Sequence, residues 1–310
     1  MKVADFSRLG LVECLKFKGI TLPCGPFNIR IRSGLEAIAS GLHRLYSDFP
    51  VNDDNTFVDF EVTIDPPSLF RRHFRPQVTL SCDGRQPFKP LPLSQAFPML
   101  EWGLNWVLSS HAHEYLVIHA AVVERNGYAL LLAADPGSGK STLCAALANI
   151  GWRLLSDELA LVDLKSGNIL PIARPISLKN QSIDIVRALS QQVVIGEVCR
   201  DTAKGDAAHV KPPPASVLLL GTTAIPKLII FPKYTAGACL ESEQVGKAHA
   251  LAELTRHSFN APILGGEAFE ALSSLLEKSD VSRVTYSSFT QIIPEIDRLW
   301  QLKQSTLAVA

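Results

Sequence analysis

The alternation of apolar and polar positions separates a mixed amino-terminal part of the chain from a longer part in which strand and helix patterns alternate. Up to residue 92, strand-like runs at 27–31, 57–64 and 77–82 accompany one helical pattern at 33–46, and a proline-rich segment follows at 87–92. Beyond it, helices are predicted at 94–109, 143–149, 267–277 and 289–302, and strands at 115–124, 128–134, 152–155, 159–164, 228–231 and 281–286. The sequence therefore predicts an α/β domain with a mixed sheet at 93–310, after an α+β region at 1–92. Pro294 is expected to kink or split the last helix.

The segment ADPGSGKST at residues 134–142 has the composition of a phosphate-binding loop of the Walker A type. It lies between a predicted strand and a predicted helix, which is the context that such a loop requires. Small residues let backbone N–H groups surround phosphate oxygens, and the helix adds the positive end of its dipole. Lys140 is expected to reach the β- and γ-phosphates and Ser141 to bind Mg²⁺. The expected nucleotide-binding residues are Asp135, Pro136, Gly137, Ser138, Gly139, Lys140, Ser141 and Thr142, whereas Ala134 occupies the position of the usual first glycine.

Two acidic residues, Asp157 and Glu158, follow the next predicted strand, 17 residues beyond Lys140 (157 − 140 = 17). A helix of about ten residues at roughly 1.5 Å each leads away from the phosphates, and a strand of about five residues at roughly 3.3 Å each returns. Both acids are therefore expected at the carboxyl edge of the sheet, beside the loop. A carboxylate there can bind Mg²⁺, together with Ser141, or accept a proton from a hydroxyl that is being phosphorylated.

A hairpin predicts where His119 lies. Asn126-Gly127 between two apolar runs is a strong signal for a two-residue turn, in which paired positions add up to 253 (126 + 127). His119 then lies opposite Ala134, at the start of the loop. An imidazole there is a candidate to hydrogen-bond the γ-phosphate or Asp157.

Two basic segments supply further candidates for contacts with phosphate or substrate. Arg174 and Lys179 lie in the segment RPISLKN, and such side chains bind phosphates in phosphoryl transfer. Residues 201–211 are small and polar, which predicts a mobile loop that closes over the site as a lid and carries Lys204 and His209.

Composition narrows the class of protein only slightly. Lysine plus arginine equals aspartate plus glutamate at 30 each, so no overall charge favours nucleic acid or membrane as a partner. The six cysteines show no C-x-x-C spacing, and reduced thiols are expected. No uninterrupted apolar stretch approaches about 18 residues, and the expected location is cytoplasmic.

The run from His119 to Asp157 resembles the kinase domain of HPr kinase/phosphorylase. That family also has a histidine-bearing strand before the loop, a glycine eleven residues after the loop lysine, and an Asp-Asp pair seventeen after it. The proteins called HprK-related kinase A are more similar still. The similar segments are EWGLNW at 101–106, HAAVVE at 119–124, SDE at 156–158, RPISLKN at 174–180, and Lys204-Gly205 with His209.

The resemblance implies a fold akin to phosphoenolpyruvate carboxykinase and an HPr(Ser) kinase-like phosphotransferase that uses ATP and Mg²⁺. It makes Asp157 the general base, gives Lys140 and His119 catalytic roles, and places the metal on Ser141. The implied acceptor is a Ser or Thr of a peptide or small protein, with a PqqD-like carrier as partner, and the hexamers of HPr kinases imply a homo-oligomer.

Two positions depart from the pattern of HPr kinases. Glu158 replaces the second aspartate, and residues 174–182 lack the carboxylate that those kinases carry there. Two other functions stay open. One is a non-catalytic nucleotide sensor or scaffold, and the other is a carboxykinase-like enzyme that acts on a small metabolite.

Overall fold

The computed structural model describes residues 1–53 and 55–307, with side chains described up to residue 302. The strands are β1 Ile20–Cys24, β2 Phe27–Arg32, β3 Phe60–Asp65, β4 Gln77–Cys82, β5 Leu91–Pro92, β6 Tyr115–Ile118, β7 Ala120–Arg125, β8 Tyr128–Ala133, β9 Arg153–Ser156, β10 Ala160–Asp163, β11 Ile169–Leu170, β12 Ile176–Lys179, β13 Cys199–Thr202, β14 Gly205–Val210, β15 Ile225–Tyr234, β16 Glu241–Gln244 and β17 Asp280–Tyr286. The α-helices are α1 Arg8–Phe17, α2 Glu36–Leu45, α3 Leu69–His73, α4 Ala96–His111, α5 Lys140–Asn149, α6 Gln181–Arg187, α7 Pro214–Leu218, α8 Lys247–Arg256, α9 Ala261–Leu264, α10 Gly266–Lys278 and α11 Phe289–Leu307. The protein is thus a mixed α/β structure with several sheets.

The chain forms two compact units, each assembled from two stretches of sequence. The first comprises Met1–Leu108 and Ala173–Leu220, and the second comprises Ser109–Ile172 and Gly221–Ala310. These units differ from the predicted division at 1–92 and 93–310, because residues 93–108 and 173–220 belong to the same unit as the amino-terminal elements. Within the first unit, for example, the Cys199 thiol contacts the carbonyl of Ser94 at 3.4 Å.

The first unit contains a five-stranded sheet in the order β1-β2-β3-β4-β5 and a three-stranded sheet in the order β12-β14-β13. Only β2 and β3 are parallel; the other pairs of both sheets are antiparallel. The buried positions of α2 follow helical spacing, as expected of a helix that covers a core with one face. They are Ile38, Ala39, Leu42 and Leu45.

The second unit is built around a six-stranded mixed sheet in the order β16-β17-β15-β8-β7-β9. Strands β8, β15 and β17 are parallel, and β7 is antiparallel to both β8 and β9, so β9 runs in the same direction as β8. The carboxyl ends of β8, β9, β15 and β17 therefore lie at one edge of the sheet. A second sheet, in the order β11-β10-β6, belongs to the same unit.

The core of the second unit follows from the period of two along each strand. Leu131, Ile229 and Val281 belong to a buried cluster that includes Leu272 and Leu275 of α10. The alternating residues Leu130 and Leu132 are also fully buried, and they point to the opposite face. Helices α5 and α11 contact the sheet and each other. The sheet thus has apolar side chains buried on both faces, as expected for strands covered by helices.

The hairpin has the predicted register. Ala120 pairs with Ala133 and Arg125 with Tyr128, so paired positions add up to 253. Asn126 and Gly127 have φ values of 57° and 82°, as a type I′ turn requires. However, the predicted strand 115–124 is divided at His119, where the chain passes from the small sheet (β6) to the large one (β7).

Another prediction about local structure is wrong. Residues 201–211 do not form a lid-like loop: they complete β13 and form β14, and the Thr202 hydroxyl closes the intervening turn by donating to the Gly205 carbonyl at 2.6 Å. The small residues Ala207 and Ala208 are buried against β12, which explains why a polar, glycine-containing segment is ordered as strand. Of the two outcomes expected at Pro294, a kink or a split, the split does not occur, since α11 is continuous through it.

The six cysteines are free thiols. In the part of the chain that is described, no helix combines the length and the apolar character needed to cross a bilayer.

Candidate functional site

Residues 134–139, which are predicted to bind phosphate and are called the phosphate loop below, connect β8 to α5 in the second unit, as the sequence predicts. Gly137 and Gly139 have φ values of 89° and 90°, a region that residues with a Cβ atom rarely adopt. Gly139 is also the N-cap of α5, and it leaves the first N–H groups of the helix without a side-chain cap. Such groups are available to a phosphate anion.

The side chain of Lys140 folds back over the loop that precedes it. This side chain is largely buried, and Nζ donates a hydrogen bond to the carbonyl of Ala134, the first residue of the loop. The ammonium group is thus held inside the loop. In the same loop, the Ser138 hydroxyl is buried without a hydrogen-bond partner among the described residues. Both groups fit a polar, anionic ligand.

Asp157 directly follows β9 and therefore leaves the sheet at the same edge as the loop. It is buried, whereas Glu158 is half-buried. Burial, and in addition the nearby Asp157 carboxylate, raises the pKa of the Cys144 thiol well above its usual value. Cys144 belongs to the second turn of α5. The Asp157 carboxylate therefore lies close to the helix that follows the phosphate loop.

His119 lies at the passage between the two sheets, next to a second histidine. Its backbone N–H donates to the carbonyl of His257 at 2.8 Å, and the two ring centroids are 6.5 Å apart. His257 is buried, and burial together with the charge of Arg256 lowers its pKa, so its imidazole is neutral at pH 7. The neighbouring Arg256 donates from Nη1 to Asp135 of the loop at 2.9 Å.

Two tyrosines at the ends of β15 and β17 border the loop. The N–H of Tyr234 donates to the Ser138 carbonyl at 3.1 Å, and the rings of Tyr234 and Tyr286 are 5.9 Å apart. A Cβ atom on Gly139 would lie 2.8 Å from the Tyr286 hydroxyl oxygen. Burial raises the pKa of Tyr286, which keeps this hydroxyl protonated. The loop is thus packed closely against two aromatic residues.

The remaining candidates, Arg174, Lys179, Lys204 and His209, belong to the first unit. Arg174 is buried and donates to Glu101 at 3.0 Å. The same guanidinium group also donates to the side chain of Asn105. Lys204 lies 5.2 Å from the centre of the Trp102 ring. Arg174 therefore has a structural role within its unit, whatever else it binds.

His209 is a buried residue of β14 in the first unit, and its Nε2 has no hydrogen-bond partner among the described residues. Burial, with the charges of Arg174 and Lys179, lowers its pKa to about 3. The imidazole is therefore neutral at physiological pH, so that any contact it makes with a phosphate is a hydrogen bond and not an ion pair.

A magnesium ion would depend on the nucleotide for much of its coordination. The described residues include no group of three or more His, Cys, Asp or Glu side chains placed to hold a metal. Mg²⁺ in phosphoryl-transfer sites takes one or two protein carboxylates and completes its shell with phosphates and water. Ser141, Asp157 and Glu158 have suitable oxygen donors for this type of site.

Sequence reasoning missed Arg256, His257, Tyr234 and Tyr286. Tyr286 could have been suspected from its position at the end of the predicted strand 281–286, where ligands bind in open α/β sheets. Tyr234 lies three residues beyond the predicted strand 228–231, because β15 is longer than predicted. Arg256 carries no such signal, because it is the last residue of helix α8 and contacts a residue 121 positions away.

The comparisons with known proteins match parts of the chain. The family model of the SynChlorMet cassette protein ScmC matches residues 96–176, which include the phosphate loop and Asp157. Among solved structures, the HPr(Ser) kinase/phosphatase from Coxiella burnetii is similar at 13% identity and a TM-score of 0.27, over 61% of this chain and 98% of that one. No curated protein matches the chain.

Proposed function

We propose that this protein is an ATP- and Mg²⁺-dependent kinase that transfers the γ-phosphoryl group to a hydroxyl. The observation that carries the proposal is the shared edge of the sheet, where the phosphate loop after β8 and Asp157 after β9 emerge together. Burial of a carboxylate is costly, and a buried ionisable group beside a ligand site is a candidate for a catalytic role. The transfer assay described below separates this role from metal binding in a nucleotide sensor.

In the proposed mechanism, Asp157 orients the acceptor hydroxyl and takes its proton as the oxygen attacks the γ-phosphorus. The bond from this phosphorus to the bridging oxygen breaks, and ADP leaves. Lys140 and the N–H groups of the loop stabilise the charge on the transferring group. In this mechanism His119 hydrogen-bonds the phosphate or Asp157.

Ser141, Asp157 and Glu158 would hold the Mg²⁺ ion, which neutralises phosphate charge when bound. The two glycines with positive φ and the buried Ser138 hydroxyl support nucleotide binding at this loop. Both the positive φ values and the buried hydroxyl are observed in this chain, and they do not depend on a resemblance to other proteins.

The proposed acceptor is a Ser or Thr of a peptide or small protein, by analogy with the HPr(Ser) kinase/phosphatase and its relatives. The same analogy suggests a PqqD-like carrier as partner. Arg174, Lys179, Lys204 and His209 are the proposed contacts for the acceptor or its phosphate, and the neutral state of His209 limits that residue to hydrogen bonding.

The test is to incubate the purified protein with γ-labelled ATP and a lysate from its own source. We expect label on a protein or peptide, and no label with the Lys140→Ala variant, because that variant lacks the ammonium group held in the loop. Nucleotide binding without any transfer would contradict the proposal in favour of a sensor. Label on a small carboxylic acid would contradict it in favour of a carboxykinase-like enzyme.

A further inference from the structure

An acidic side chain lies within the phosphate loop itself. Asp135 is the second residue of the loop, and its side chain is 64% exposed. A triphosphate carries several negative charges, and a carboxylate close to it is repelled. The loop therefore contains one charge that opposes the anion it is shaped to bind.

Arg256 is held against this carboxylate from outside the loop. One nitrogen of its guanidinium, Nη1, lies 2.9 Å from Asp135, and the other, Nη2, lies 3.3 Å from Nε2 of His257. The neutral imidazole of His257 accepts this second hydrogen bond, and the His257 carbonyl accepts the N–H of His119. Arg256 is thus oriented by the buried His257, whose backbone carbonyl is hydrogen-bonded to His119 of the candidate site.

The ion pair contributes little to the stability of the fold. Arg256 is 58% exposed and Asp135 is 64% exposed, and pairs this accessible are weakened by water and salt. Its more direct effect is electrostatic, since the hydrogen bond from Arg256 holds the pKa of Asp135 below its usual value. The carboxylate stays ionised, and its charge is balanced by the arginine.

We propose that Arg256 is a positioning residue of the nucleotide site: it cancels the charge of Asp135, so that the positive charge of Lys140 dominates where the triphosphate binds. The inference rests on the proposed function, because it assumes that the loop binds a nucleoside triphosphate. It adds to that function a residue 121 positions along the chain from the loop.

The experiment measures binding of inorganic tripolyphosphate and of ATP with Mg²⁺ by calorimetry. It compares the wild type with Arg256→Ala, Asp135→Asn and the double variant, at ionic strengths of about 0.02 M and about 0.5 M. Arg298→Ala is the matched control, because Arg298 is 55% exposed and pairs only with Glu295 of its own helix among the described ion pairs. Arg256→Gln provides a second variant with a polar side chain of similar length.

At low salt we expect Arg256→Ala to weaken binding of both ligands by about fivefold, and this loss to shrink at high salt as the Debye length falls. The double variant should bind within about twofold of the wild type, since it lacks both the carboxylate and the charge that cancels it. The control variant should bind like the wild type.

A double variant that binds as weakly as Arg256→Ala alone would overturn the inference, because Arg256 would then act directly on phosphate or through the fold. Wild-type affinity in Arg256→Ala would overturn it as well. If the wild type bound neither tripolyphosphate nor ATP, the failure would lie in the proposed function itself, which separates the two cases.

Discussion

At the scale of single residues, the phosphate loop depends on Gly139 for two separate reasons. Its φ of 90° is strained for any residue with a Cβ atom, and a Cβ atom there would also approach the Tyr286 hydroxyl to 2.8 Å. Gly137 has nearly the same φ, but a Cβ atom on it would meet nothing within 4 Å. A comparison of substitutions at the two glycines therefore separates the effect of backbone strain from the effect of crowding.

We expect Gly139→Ala to weaken ATP binding by about tenfold or more, which corresponds to about 1.4 kcal/mol, and Gly137→Ala to have the smaller effect. Tyr286→Phe in the Gly139→Ala background removes the crowding oxygen and should restore part of the affinity. Titration calorimetry on the four proteins checks this. Equal losses in both alanine variants, with no recovery from Tyr286→Phe, would show that crowding at Gly139 is unimportant.

The residue scale also shows what a local pattern can predict. Lys140, the positive-φ glycines and the position of Asp157 follow from short-range rules for loops, helices and strands. The contact between Arg256 and Asp135 does not, because side chains so distant in sequence meet only through the packing of the whole unit.

At the scale of elements, the β7–β8 hairpin and β9 are joined by a buried ion pair. Glu124 of β7 accepts a hydrogen bond from Arg153 of β9 and another from the N–H of Gly127 in the turn. Arg153 also donates to the Thr222 carbonyl at 2.9 Å. The side chains of Glu124 and Arg153 are largely buried, with 10% and 7% of their surface exposed, respectively. This pair links the turn of the β7–β8 hairpin to the strand that precedes Asp157.

We expect Glu124→Ala to lower the free energy of unfolding by about 3–5 kcal/mol, because it leaves the Arg153 charge buried without its carboxylate. Replacing both, as Glu124→Leu with Arg153→Met, should cost much less, since no uncompensated charge remains. Denaturant-induced unfolding measures the difference. A loss below about 1 kcal/mol in the single variant would contradict this account of the pair.

The predicted elements succeed where burial and turn chemistry are local and fail where tertiary structure decides. The turn at Asn126-Gly127 fixes the hairpin register, and the observed pairing confirms it. The break at His119 has no such signal, because residues 115–124 are apolar on both sides of it, and only the pairing of β6 with β10 separates the strands. Likewise, residues 201–211 are polar and small, and it is pairing with β12 that makes them strand.

At the scale of the whole molecule, the mixed α/β character is predictable from the sequence, but the grouping of segments is not. Residues 173–220 join the first unit, although their sequence follows the phosphate-loop region without a clear boundary. Hydrophobic periodicity identifies an element and its buried face, but it does not identify the partner that covers that face.

We propose above that Asp157 serves the chemical step at a site whose phosphate loop binds ATP. The most direct test compares Asp157→Asn with the wild type in two assays on the same preparation: ATP binding by calorimetry and transfer of the γ-phosphoryl group to the identified acceptor in a single turnover. We predict that the variant folds, binds ATP within about threefold of the wild type, and loses transfer by about a hundredfold or more. Full transfer by Asp157→Asn would contradict the proposed role of Asp157 in the chemical step.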